Sequence, residues 1–337
     1  VTRSAERRFR VMGSDAHIIV VDAADETVDD ATMARANESL LHHAQQRLDQ
    51  LEAKWSRFQP DSEVTQLSAR AGGWVTVSDE TALLVRRAVE AWRISGASFD
   101  PTVLGDMIRA GYDRSFDAMT SEGAVRSGLS RLLHGCGDIE VDGNRVRLPE
   151  GTGFDPGGIG KGLAADLLTA ELIDAGAAGV CANVGGDLRV RGHGPTADVA
   201  GWTVGIDHPW LPGPIALVGL LDGAMATSTT LKRHWEVEGE ARHHLIDPGT
   251  GQPSSSDLTL VTVIATEGWR AEILAKAVLL RGSEHPFDLL GGTGAEALCV
   301  DVDGQIQSTD GFAAFLGGVP LADRVDASPP DATSTAL

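Results

Sequence analysis

The chain has 337 residues, 42% apolar and 23% charged, a composition that suits a soluble globular protein with one large domain or two ordinary ones. Its formal charge of −20 excludes the basic footprint of a nucleic-acid binder and disfavours an anionic membrane surface. An anionic small ligand stays compatible, because backbone dipoles and a few cations dominate the field inside a cleft.

In chain order, Phe9 to Val21 alternates and then runs apolar, which predicts an early strand or hairpin with Met12-Gly13-Ser14 at its start. A long helical stretch over 29–58 places Leu40, Leu41, Ala44, Leu48, Leu51 and Trp55 on one face. The polar segment from Ser56 to Val64 follows, with Asp61 or Ser62 placed as a helix cap. Ser78-Asp79-Glu80 opens a further helix through Ala82, Val85, Val89 and Trp92. A helical region around 121–133 leads to short strands at 138–141 and 145–148, joined by the hairpin signal Asp142-Gly143-Asn144.

The segment from Gly153 to Asp166 reads Gly-Phe-Asp-Pro-Gly-Gly-Ile-Gly-Lys-Gly-Leu-Ala-Ala-Asp and enters a predicted helix over 160–175. Strands are expected at 179–183, 188–190, 202–206, 215–221, 258–264 and 297–302, with a helix at 268–280. The tail from Ser328 to Leu337 has no periodicity and reads as disordered. Helices dominate to about residue 135 and strands with interspersed helices after it, so the pattern is α+β rather than regular βαβ alternation, taken as one unit over 1–327. A ligand cleft is expected between the two parts.

Several constellations carry potential chemistry. Gly157, Gly158, Gly160 and Lys161 combine permissive backbone, a helix N-terminus and a full positive charge, which suits a pyrophosphate. The order matches neither a Walker loop nor G-x-G-x-x-G, and alone it favours a helix-capping turn. Lysine is rare, with Lys54, Lys161, Lys232 and Lys276 against 24 arginines, so a lysine inside a motif stands out. Asn183-Val184-Gly185-Gly186-Asp187 marks either an ordinary turn or a backbone that lets a ligand pass. His244 stands three residues before Asp247, and such a pair suits proton transfer, metal binding or a structural turn. Cys136, Cys181 and Cys299 have neither disulfide-framework nor zinc spacing, and the latter two read as buried thiols. The charged segment from Val1 to Arg10 shows no apolar core of a signal peptide, which reads as cytoplasmic; a preceding export segment would change that. No apolar run is long enough for a membrane span.

Taken in order, these segments resemble the ApbE family of FAD:protein FMN transferases, from about Met12 to Gly282. The most specific parts are Gly-Gly-Ile-Gly-Lys-Gly with Asp166, Asn-x-Gly-Gly-Asp, Thr227-Ser228 after Ala226, and His-x-x-Asp-Pro-x-Thr-Gly. Phe99-Asp100-Pro101-Thr102-Val103 adds a further match. The resemblance implies a T-fold-like core of mixed or antiparallel sheets flanked by helices. It implies FAD as substrate, whose FMN half is transferred to a Ser/Thr hydroxyl of an acceptor protein as AMP leaves. The acceptor is expected to carry an Asp-Gly-x-Ser/Thr-Gly-Ala-Thr-like motif. His244 with Asp247 would be the base; Met12, Asp61, Ser62, Gly157, Gly158, Lys161, Asp166, Gly185, Gly186, Thr227 and Ser228 would lie along the ligand.

One departure bears on the metal. The family pattern has Asp and Thr four residues apart on the last helix; with a glycine-segment carbonyl (Gly160 here) they bind magnesium. This chain has Glu272 and Lys276. Glutamate still reaches a cation, whereas protonated lysine is no ligand. Either the pair is an i, i+4 salt bridge in a site without metal, or the Lys276 ammonium replaces the magnesium. FAD pyrophosphatase activity, or FAD binding without catalysis, are the competing readings.

Overall fold

The structure is a computed structural model that describes residues 3–22, 29–115, 133–196, 201–237, 240–317, 321–322 and 325. Nearly all of the expected helical region at 121–133, and the whole tail from 328, lie outside the described residues.

The alternating N-terminal segment forms a hairpin of strands Ser4–Val11 and Ser14–Val21. Its turn residues Met12 and Gly13 both have positive φ, 52° and 63°, the sign at which a two-residue turn follows the natural strand twist. The hairpin edges an eight-stranded sheet that continues through Gly179–Val184, Asp187–Gly192, Gly223–Thr229, Leu258–Ala265, Glu296–Asp301 and Ile306–Ser308. Every neighbouring pair in it is antiparallel. The architecture is thus α+β with antiparallel sheets flanked by helices, as expected.

The helices are α1 (Asp30–Trp55), α2 (Glu63–Ala69), α3 (Asp79–Ile94), α4 (Leu104–Arg109), α5 (Gly160–Asp174) and α6 (Gly268–Arg281). Helix α1 starts where the Asp29 side chain accepts the Thr32 N–H at 3.0 Å, and Ser78 caps α3. It stops at Trp55, three residues short of the expected end, because Ser56 turns to extended backbone. Apolar stripes of α1, α3, α5 and α6 close one sheet face, including Leu48, Leu51, Leu84, Leu168 and Val278. The other face is covered by the hairpin of strands Trp202–Asp207 and Pro214–Leu220, with Trp202, Ile206 and Val218, and by Phe312. The two-residue strand period sends Ala224 and Ala226 to the helical side and Met225 to the other.

One crossing positions the site. Gly162 of α5 meets Gly268 of α6 so closely that a Cβ at 162 would lie 2.3 Å from the Gly268 carbonyl oxygen. Across this contact the Glu272 Oε2 accepts the Gly162 N–H at 2.8 Å. Asp166, one turn further along α5, accepts the N–H groups of Gly268 and Trp269 at 2.7 and 3.1 Å and so caps α6.

Candidate functional site

A cleft of about 520 Å³ lies beside this crossing, bounded by the Met12–Gly13 turn, the end of α1, the glycine turn, Arg233 and the segment from His244 to Pro248. Local chemistry builds the glycine turn. Asp155 accepts the Gly157 N–H at 2.7 Å, the Asx geometry that reverses a chain, while the Asp155 N–H bonds to the Pro101 carbonyl at 2.7 Å. Gly158 packs on Phe99, where a Cβ would lie 2.6 Å from Cε2, so no side chain fits. The turn then delivers Gly160 and Lys161 at the N-terminus of a fifteen-residue helix, where the Gly160 N–H bonds to the Pro156 carbonyl at 2.8 Å and the Gly162 N–H to Glu272 at 2.8 Å.

Among the cations that line the cleft are Lys161, Lys276 and Arg233. Behind the two lysines stands Glu272, 1% exposed, whose Oε1 lies 3.1 Å from the Lys276 Nζ and 3.5 Å from the Lys161 Nζ. Lys161 also pairs with the buried Asp187. Burial alone would lower the Lys161 ammonium, but Asp187 and Glu272 outweigh it and hold it above its ordinary range. Burial would likewise raise Glu272, yet Lys276, then Lys161, keep its carboxyl below the usual value. Arg233 reaches the Met12–Gly13 turn, donating to Ser14 Oγ at 3.1 Å.

His244 lines the cleft, and its Nδ1 is buried without a hydrogen-bond partner among the described residues. Burial first, then the charges of Arg233 and Lys276, hold this imidazole well below 6.5. It is therefore neutral at neutral pH, the form that accepts a proton.

The expected His244–Asp247 partnership does not form. Asp247 accepts the Gly249 N–H at 2.8 Å and the Thr250 hydroxyl at 3.3 Å, building its own turn, and does not line the cleft. The chain bends at His244, between the strands Glu240–His243 and Ile246–Asp247, and Asp247 is drawn into the turn that follows.

The opposite wall is aromatic. Tyr112 stacks on Trp235 with ring centroids 5.4 Å apart, and Phe58 meets Tyr112 edge-on at 5.9 Å. The Arg57 guanidinium lies over both Phe58 and Tyr112, at 4.2 and 4.7 Å, and its Nε is 3.2 Å from the buried Asp155 carboxylate. Arg57 thus ties the aromatic wall to the glycine turn.

Of the residues expected along the ligand, Met12, Gly157, Gly158, Gly160, Lys161 and His244 line the cleft together with Lys276. The others stand behind or away from it. Asp61 is exposed and offers its backbone carbonyl to Gln66, while Ser62 is the buried cap of α2, accepting the Thr65 N–H at 3.1 Å. Asp166 caps α6, and burial pushes its carboxyl up to about 7. Gly185 and Gly186 form a positive-φ turn in which Gly185 is pressed against Ser14 and Lys161. Thr227 shares a hydrogen bond of 2.8 Å with Thr262 inside the sheet, and Ser228 is buried one residue on. Glu272 acts from behind the lysines. Arg57, Tyr112 and Arg233 are wall residues that the motifs do not single out; Tyr112, the chain's one tyrosine, was open to notice on composition alone.

Residues 12–299 match the family described as ApbE. The chain belongs to the ApbE family. A relative from Treponema pallidum named FAD:protein FMN transferase is 31% identical over 288 residues, 79% of this chain and 78% of the relative. The apo form of the Pseudomonas stutzeri flavinyl transferase ApbE superposes with a TM-score of 0.77 at 25% identity, covering 95% of this chain and 98% of that one. The ApbE protein of Thermotoga maritima gives a TM-score of 0.78 at 24% identity over 93% and 99% of the two chains, a likeness of fold.

The donor set of this ApbE-family chain does not fit the magnesium that the family resemblance implies. No group of three or more His, Cys, Asp or Glu side chains converges on a point among the described residues. Both oxygens of Glu272 are already engaged, Oε2 by the Gly162 N–H and Oε1 by two ammonium groups. A divalent ion there would meet two like charges at contact. The three cysteines are buried, and burial pushes the Cys181 and Cys299 thiols up to about 12, outside reactive range. No described helix is long and apolar enough to cross a membrane.

Proposed function

We propose that this chain transfers the FMN half of FAD to a Ser/Thr hydroxyl of an acceptor protein and releases AMP. The observation that carries the reading is a neutral His244 facing the glycine turn across a cleft lined by Lys161, Lys276 and Arg233. Family membership and the names of its relatives support it. Lys161 and Lys276 hold the pyrophosphate, offsetting charge that builds as its bridge breaks. Tyr112 and Phe58 give the cleft an apolar wall against which a planar ring system packs, which orients the reacting phosphorus. His244 takes the proton of the acceptor hydroxyl. The hydroxyl oxygen bonds to the phosphorus of the FMN half, the bond from that phosphorus to the AMP oxygen breaks, and AMP departs with the electron pair.

The test follows AMP release from FAD by the purified chain, with and without a domain bearing an Asp-Gly-x-Ser/Thr-Gly-Ala-Thr-like motif. AMP together with covalent flavin on the acceptor is the expected result. AMP with free FMN and an unlabelled acceptor would instead make the chain an FAD pyrophosphatase. Bound FAD without any AMP would leave a flavin-binding protein.

A further inference from the structure

We propose that Lys276 is a built-in cation that takes over the role of a divalent ion, so that this chain binds the FAD pyrophosphate without magnesium. The inference rests on the flavin-transfer reading above. Its support lies in one shared oxygen. Glu272 Oε1 is 3.1 Å from the Lys276 Nζ and 3.5 Å from the Lys161 Nζ, while Oε2 is held by the Gly162 N–H at 2.8 Å. The carboxylate does not line the cleft and both lysines do. Glu272 therefore works as a pin. It fixes two ammonium groups side by side from behind and leaves their remaining N–H donors for a ligand in front.

The arrangement is also rigid. Glu272 is 1% exposed, one helical turn separates it from Lys276, and its link to Gly162 spans the tight α5–α6 crossing. The Gly158 backbone sits against the Lys276 stem, 3.4 Å from a notional Cβ, which places the ammonium beside the glycine turn. Two carboxylates, Glu272 and Asp187, sit behind the two lysines, and Arg233 adds a further cation to the cleft lining. A fixed positive site of this kind draws a pyrophosphate as a bound metal would, with no metal to recruit.

The experiment measures FAD affinity, by quenching of flavin fluorescence, for the flavin-free full chain in EDTA and in millimolar magnesium. The wild type should bind equally in both, within about twofold, and K276M should bind roughly tenfold or more weakly in both, the scale of a lost charge-assisted contact. The double variant E272Q/K276M removes pin and cation together, so no buried carboxylate loses its partner; it should be weakened like K276M while keeping the wild-type circular dichroism spectrum. E272D/K276T should bind weakly in EDTA and recover about tenfold with magnesium. Magnesium tightening the wild type about tenfold, or both Lys276 variants binding as tightly as the wild type, would overturn the proposal while the flavin reading stood. Absence of FAD binding by every form would overturn both.

Discussion

Replacing Gly162 by alanine tests the helix crossing that carries the site. The added Cβ would lie 2.3 Å from the Gly268 carbonyl oxygen, 2.5 Å from its carbon and 2.7 Å from the Trp269 nitrogen. All three are backbone atoms, so no rotamer yields; α5 and α6 must part by about 1 Å to restore ordinary contact. Overpacking of this kind costs about 1–3 kcal/mol. The same separation stretches the Glu272 bond to Gly162 and the Asp166 cap of α6, and loss of one hydrogen bond to a charged group costs about 1.5–3 kcal/mol. Against these stands a gain of about 1 kcal/mol from alanine over glycine inside a helix. The net is a destabilisation of about 1.5–5 kcal/mol, which lowers the melting temperature by roughly 2–7 °C for a chain of this size. Differential scanning calorimetry measures it. Gly143→Ala serves as the control: its φ is 59° with nothing within 4 Å, so only backbone strain applies, about 1 kcal/mol. A melting temperature for Gly162→Ala equal to or above the wild type would mean that helix propensity wins and the crossing is not tight.

Three further outcomes follow from the site. His244→Asn should reduce AMP release by about 10²–10⁴ while leaving FAD affinity near the wild type; a loss below roughly tenfold would remove His244 from the role of base. Arg233→Met takes away a cation that holds the His244 imidazole low, so the imidazole rises towards 6.5 and the acidic limb of the rate profile moves to higher pH. A limb that stays in place, or moves down, would contradict that electrostatic account. Burial raises the Asp166 carboxyl from its ordinary 3.8 to about 7, so between those pH values the folded form holds a proton that the unfolded chain has released. Its contribution is present below about pH 4 and is lost as pH rises through about 7, so the melting temperature of Asp166→Asn should gain on the wild type between those limits. Parallel profiles for the two proteins would refute this.

Much of the fold was legible because burial and period coincide. The run from Leu258 to Ala265 is buried throughout and apolar at nearly every position, and the stripe from Leu41 to Trp55 keeps helical spacing on α1. The strand Gly223–Thr229 was not legible as a strand. Its sequence, Gly-Ala-Met-Ala-Thr-Ser-Thr, is small because α6 packs directly on it, and tertiary crowding of that kind overrides β-propensity. The hairpin His234–Val237 with Glu240–His243 was hidden for another reason: its strands are short, mix polar and apolar residues, and form a two-stranded sheet outside the main one.

The site divides along a similar line. Spacing on one helix was a sound guide, since the four residues from Glu272 to Lys276 are one turn and the side chains do meet. Spacing between His244 and Asp247 misled, because the chain bends at His244 and Asp247 is spent on its own Pro-Gly turn. Nor could order along the chain reveal Arg57, Tyr112 and Arg233 as three walls of one cleft, since they come from separate elements. The overall charge of −20 was equally silent about that cleft. Lys161 and Lys276 face it with Glu272 and Asp187 behind them, so positive charge is presented at the cleft and its negative partners are buried away from it. On the proposed function, local placement of a few charges, rather than their total, fits this acidic chain to an anion. Burial first, then the charges of Arg233 and Lys276, keep His244 uncharged, so the cations proposed to attract the pyrophosphate also repel a proton from the imidazole. Binding and base strength are therefore linked in sign: any substitution that strengthens the positive field should tighten an anion and lower the basicity of His244 together.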